Sequence, residues 1–202
     1  MPRLTKQQID DEIVEQASVL FARHGFKDTS VQSIADAAGY SKTGLLHRFP
    51  NKEAIWAAVV ERCVGMCRQI ADDVDGMPVG PDRDRAVLTA LVDLTLSHPG
   101  VVALLLSVFS AIDRVEDTPL LLGIGESVIG AFGDGPLTPE PPAPAALPRR
   151  VRVVGALGAL AVAGIALRDA SNDDVRDHLI AAAFDTLGHA HHVQVPAARK
   201  AM

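Results

Sequence analysis

Apolar residues recur at three- and four-residue steps near the start of the chain. Ile9, Ile13, Val14, Ala17, Leu20 and Phe21 form one stripe, which predicts an amphipathic helix from about Lys6 to His24. Gly25 is the residue type at which such a helix closes. Thr29 and Gln32 have capping-box spacing, with Ser30 as a second candidate cap. Val31, Ile34, Ala35 and Ala38 give the buried side of a short second helix, which Gly39 stops. Ser41 can cap a third helix, too short to stand alone, with Leu45 and Phe49 inward and Pro50 at its end. Asn51 caps a fourth, with Glu53 in its first turn, whose apolar positions run through Ile55, Trp56, Val59, Val60 and Val64 toward Val74.

Punctuation is densest in "AGYSKTGLLHRFPNKEA", Ala38 to Ala54, which holds a turn, a helix of one to two turns, a second turn and the start of the fourth helix. A short helix behind a Gly-containing turn, buttressed by two others, has the layout of a helix-turn-helix and offers its outward side chains to a DNA major groove. Lys42, Thr43 and His47 lie on its non-buried side, and Gln32 faces the same way from the helix before; all are types that bond base edges or phosphates.

Beyond the link "GMPVGP", helices are expected from about Asp82 to Ser97, Pro99 to Ile112 and Pro119 to Phe132, each beginning near a proline. A Pro-rich loop, 133–148, precedes two more, Arg149 to Leu167 and Asn172 to Gly188, and the tail from His189 reads as loose. Alternation with period two is scarce and aromatics make up 4% of the chain, so the expected fold is all-α.

With 202 residues, 48% of them hydrophobic, the chain can fill a sizeable core. Its net charge of −6 excludes a non-specific nucleic-acid coat. The charge is unevenly spread. Through Lys52 there are seven basic and six acidic residues, and beyond it twelve basic and nineteen acidic, so any contact with a polyanion falls to a patch in the first quarter. The polar opening, Met1 to Asp11, is no secretory leader, which implies a cytoplasmic location. The longest apolar run, "VVGALGALAVAGIAL" from Val153 to Leu167, falls short of the roughly twenty residues a membrane span needs and reads as a buried helix.

Catalytic signals are missing: there is no Gly-x-Ser-x-Gly elbow and no His-Glu-x-x-His motif, so no enzyme activity and no cofactor are expected. Cys63 and Cys67 share a helix face, where packing explains them better than redox or metal chemistry. His178, His189, His191 and His192 could ligate a metal only if the tail held fixed geometry, and no metal site is assigned.

Phe21 to Ile55, "FARHGFKDTSVQSIADAAGYSKTGLLHRFPNKEAI", resembles the TetR family of bacterial transcription regulators. It carries the Phe-Ala-x-x-Gly-Phe, Thr-Ser, Ile-Ala-x-x-Ala-Gly, Ser-Lys, Leu-x-x-x-Phe and Asn-Lys-Glu positions in order. The resemblance covers about the first quarter. It implies a three-helix DNA-binding head, 1–50, and a helical body, 51–202, that binds an effector and dimerises. It also implies DNA contacts from Thr29, Ser30, Gln32, Ser41, Lys42, Thr43, Gly44, Leu46, His47, Arg48 and Lys52. Thr29 and Ser30 have capping as an equal explanation.

Two positions depart from the family. Leu46 stands where many members have Tyr, removing a hydroxyl often used on a phosphate, for which Arg48 can compensate; Gly44 replaces Thr or Ala and forfeits a methyl contact with thymine.

The partners so implied are a double-stranded, palindromic DNA operator, a second copy of the chain through residues 149–188, and a small-molecule effector, with no membrane. Gly158 and Ala159 would allow close approach of the paired helices. A body pocket would be mostly aliphatic, lined by Met66, Leu91, Leu94, Leu105, Phe109 and Leu122, with Asp93, His98 or Glu126 as polar anchors, and would suit an apolar or amphipathic molecule. Repression is the family default. The alternative is a DNA-binding protein that is constitutive or answers to a protein partner.

Overall fold

A computed structural model of the chain describes residues 5–110, 125, 127–135, 143–167 and 172–189. The described residues form helices and connecting turns, with no strand among them. Four helices make the amino-terminal part: α1 (Lys6–Asp28), α2 (Val31–Ala37), α3 (Lys42–Leu46) and α4 (Lys52–Asp73). Two follow the link, α5 (Pro81–Ser97) and α6 (Pro99–Ser110), and two close the fold, α7 (Leu147–Ala166) and α8 (Asn172–Thr186). Of the expected helix Pro119 to Phe132, the described residues are 125 and 127–131, which are helical, and Phe132, which lies in a turn.

Helix ends fall where local chemistry sets them. Gly25 has φ +76 and breaks α1, after which one further turn runs to Asp28. Thr5 opens α1 with a capping box shared with Gln8. Ser30, not Thr29, caps α2, pairing with Ser33, and this corrects the expected Thr29–Gln32 box. Ser41 Oγ accepts the Gly44 N–H and Asn51 Oδ1 the Ala54 N–H, which start α3 and α4.

One continuous core runs through the molecule. From α1 to α4 it holds Ile13, Ala17, Phe21, Ile34, Leu45, Ile55 and Val59, and from α5 onward Val87, Leu88, Val92, Val101, Ile129, Phe132, Val153, Leu160 and Phe184. Helix α4 packs against both α1 and α5, and α1 lies extensively along α6. No single helix among the described residues is long and apolar enough to cross a membrane, and α5 and α6 are bent by 110° at their junction. His189 is not loose, as its tail position suggests: its ring stacks on Phe184 and its Nε2 lies 2.6 Å from Asp84 Oδ2.

Candidate nucleic-acid interface

The candidate surface is built on α3. Leu45 is fully buried and turns one side of this five-residue helix into the core, so Lys42, Thr43 and His47 fall on the exposed side. Ser41 is also exposed, but its hydroxyl is engaged in capping. Leu46 is half-buried. Gly44 sits behind the cap, where an added methyl would stand 3.1 Å from Ser41 Oγ.

From α2, Gln32 is exposed and donates through Nε2 to Asp36 Oδ1 at 2.7 Å, a bond that does not use its amide oxygen. Ser30 is exposed at the start of the same helix, but its hydroxyl and backbone are tied to Ser33.

Three expected DNA ligands have other engagements. Thr29 is buried, and its hydroxyl donates to Gly25 O at 2.8 Å, with Leu20 O 3.3 Å away, so that hydroxyl is engaged at the end of α1. Arg48 bonds Asp10 and donates to Lys6 O at 3.2 Å, so α1 holds the guanidinium that was to replace the family's tyrosine hydroxyl. Lys52 Nζ donates to Phe26 O at 2.8 Å, Thr29 O at 3.0 Å and Lys27 O at 3.2 Å. The partners of Arg48 and Lys52, more than twenty residues away in sequence, leave no local signal.

A cleft of about 540 Å³ opens beside this surface, lined by α1 (Lys6, Asp10, Asp11), the end of α3 (His47, Arg48) and α4 (Glu61, Arg62). Its lining shares none of the residues expected to line an effector pocket. Among the expected body-pocket residues, Leu91 is buried in the core, while Met66, Leu94 and Leu105 are half-buried and pack against it. Asp93 is no interior anchor: it is half exposed and carries a two-bond ion pair with Arg176, at 2.6 and 2.9 Å. His98 sits at the head–body joint, its Nδ1 3.3 Å from Glu15 Oε2 and 3.2 Å from Arg62 Nη2. Leu122, Glu126 and the side chain of Phe109 lie outside the described residues, as do His191 and His192.

Cys63 and Cys67 are buried on α4, where burial pushes their thiols up to about 12 and about 11 and keeps them protonated. In the body, buried Asp84 takes two bonds from Arg149, at 2.6 and 2.8 Å, besides its contact with His189. Burial opposes its ionisation, but the bonds from Arg149 and His189 outweigh that and hold its carboxyl below the usual range.

The exposed side of α7 is apolar. Val151, Val154 and Val162 are 61%, 48% and 63% exposed, while Val153, Ala156 and Leu160 face inward. Gly158 lies on the same outer side, and a Cβ added there would meet nothing within 4 Å in the protomer.

Residues 13–59 match the family described as "Bacterial regulatory proteins, tetR family". The HTH-type transcriptional regulator RutR of Escherichia coli K12 is 44% identical over 50 residues, which are 25% of this chain and 24% of RutR. The HTH-type transcriptional repressor KstR2 of Rhodococcus jostii is 31% identical over 94 residues, 45% of each chain. The chain thus matches about a quarter to a half of the length of these relatives. A TetR-family transcriptional regulator from Bordetella parapertussis superposes with a TM-score of 0.57 at 20% identity, covering 89% of this chain and 95% of that one, which is a likeness of fold.

Proposed function

We propose, from the match of residues 13–59 to the tetR family of bacterial regulatory proteins, that the whole chain is a sequence-specific DNA-binding transcriptional regulator. It acts as a repressor, released from a palindromic operator by a small apolar or amphipathic effector. The observation that carries this reading is the outer side of α3: Lys42, Thr43 and His47 project from a helix that a buried leucine and a serine cap fix in place, with Gln32 beside them. A short, braced helix with outward donors is suited to a major groove.

Two copies are needed to read two half-sites about one helical turn, roughly 34 Å, apart. The apolar outer side of α7 supports pairing through residues 149–188, since exposed valines flanking an open glycine give a second copy somewhere to pack. The division into a head, 1–50, and a body, 51–202, has α4 as the shared element, starting at the head and buried along both. An effector that binds better to a body with displaced heads must weaken DNA binding by that difference in affinity.

The test is to select duplexes bound by the full chain from a random pool and titrate the winner against random duplex at several salt concentrations. Preferred binding by two protomers per duplex, falling steeply with salt, is the expected result. Equal binding of selected and random duplexes would remove the DNA-reading function. A selected operator whose affinity no apolar compound alters would favour the alternative of a constitutive or protein-controlled regulator.

A further inference from the structure

We propose that Lys52 is a positioning residue and not a phosphate ligand: it staples the start of α4 to the corner between α1 and α2, and so fixes the angle at which α3 is presented. The inference rests on the DNA-reading function proposed above, and assigns to a residue expected on the DNA a role inside the protein.

Lys52 is the first residue of α4, directly after its Asn51 cap. A cation there opposes the positive end of the α4 dipole, so another interaction must hold it. The end of α1 supplies that interaction. Gly25 breaks α1, and carbonyls at a helix end lack the amide donors of a following turn. Thr29 Oγ1 donates to Gly25 O at 2.8 Å, with Leu20 O 3.3 Å away, and Lys52 Nζ donates to Phe26 O, Lys27 O and Thr29 O at 2.8, 3.2 and 3.0 Å. An ammonium has three N–H bonds, so these carbonyls use all of its donors. The ammonium also lies 4.4 Å from the centroid of the Phe26 ring, close enough for cation–π attraction. A phosphate could take this ammonium only by uncovering the corner carbonyls.

The corner is rigid on its other side as well. Phe26 packs on Trp56, one turn along α4 from Lys52, at 5.6 Å between centroids, and Trp56 meets Phe21 edge-on at 5.1 Å. The staple and the aromatic cluster thus join α4 to α1 across the same junction. Helices α2 and α3 hang from that corner, with the Ser30 cap immediately after Thr29. A shift at the start of α4 is therefore carried to the reading helix through Lys52.

Trp56 is the single tryptophan of the chain, so its fluorescence reports on the junction whether or not DNA is bound. The full chain is compared with Lys52→Met, which keeps the stem, with Lys52→Gln, which keeps fewer donors, and with Lys52→Arg, which keeps the charge. In the free proteins, Lys52→Met is expected to shift Trp56 emission to the red and raise its quenching by acrylamide, Lys52→Gln to do so by less, and Lys52→Arg to match the parent. If Lys52→Met does not fold, the contrast of Gln with Arg carries the same comparison. On a selected duplex, loss of the staple should weaken all sequences by about tenfold. The slope of log affinity against log salt should stay as in the parent. Unchanged emission and quenching in Met and Gln variants would overturn the staple. A salt slope reduced by about one phosphate contact per protomer would put Lys52 on the DNA and overturn the inference from the other side. If the parent binds no duplex preferentially, the regulator reading falls, while the fluorescence comparison still decides the staple.

Discussion

The carboxylate of Glu15 on α1 accepts the backbone N–H of Gly100, in the first turn of α6, at 3.0 Å. An acidic group there serves an amide with no partner in its own helix and sits at the favourable end of the dipole. Glu15 and Arg62 both approach His98 Nδ1, and Arg62 also donates to Asp11 O at 2.8 Å. The first helix of the head is thereby fastened to the body where α5 bends into α6.

The same joint is sterically close. A methyl on Gly100 would stand 2.7 Å from Val19 Cγ2, 2.8 Å from Glu15 Oε1 and 3.0 Å from the Glu15 carbonyl oxygen. Side chains can rotate away, but the carbonyl belongs to α1 itself. Gly100→Ala should therefore destabilise the protein by about 1–3 kcal/mol, as overpacking does. Urea unfolding measures it, and an unchanged midpoint would mean that α1 and α6 separate easily.

Gly158 gives the opposite case. Because the space around it is open in the protomer, Gly158→Leu should leave the unfolding transition of dilute protein nearly unchanged and impair only association. Sedimentation over a range of concentrations checks this. A variant that remains as dimeric as the parent would move the interface away from α7.

Asp84 sets an acid limit on the body. Its folded carboxyl titrates below the unfolded value of about 3.9, so its ionised form contributes stability above that value, and the contribution disappears as pH falls through the folded one. Asp84→Asn should cost on the order of 2 kcal/mol near neutral pH, and the difference from the parent should shrink as pH falls from about 5 to about 2. Denaturant midpoints across that range test it; a difference independent of pH would show that Asp84 acts through shape and not charge.

The helix boundaries of the head are legible because local residues set them: Gly25 and Gly39 both have positive φ, and Ser41 and Asn51 cap the helices that follow. Thr29, with Gln32 at capping-box spacing, is the first candidate cap of α2 and Ser30 the second, because either hydroxyl can cap. What separates them is the broken end of α1, where Gly25 O at 2.8 Å takes the Thr29 hydroxyl, with Leu20 O at 3.3 Å. Long side chains are harder still. Arg48 and Lys52 have the composition of phosphate ligands, but their partners on α1 become neighbours only after the chain folds back. Similarly, the reason for a fixed His189 is Asp84, 105 residues away, and the partner of the exposed Asp93 is Arg176 on α8, 83 residues away.

The central claim is that the outer side of α3 reads sequence, and Lys42 and His47 test it most directly. Lys42→Ala and His47→Ala are titrated against the selected operator and a panel of its single-base changes, at fixed salt. The account predicts a loss on the order of 1–3 kcal/mol on the parent operator for a residue that bonds a base edge, with preference relaxed at one position of each half-site. Unchanged affinity and unchanged preference in both variants would contradict it, and would mean that another surface of the head faces the DNA.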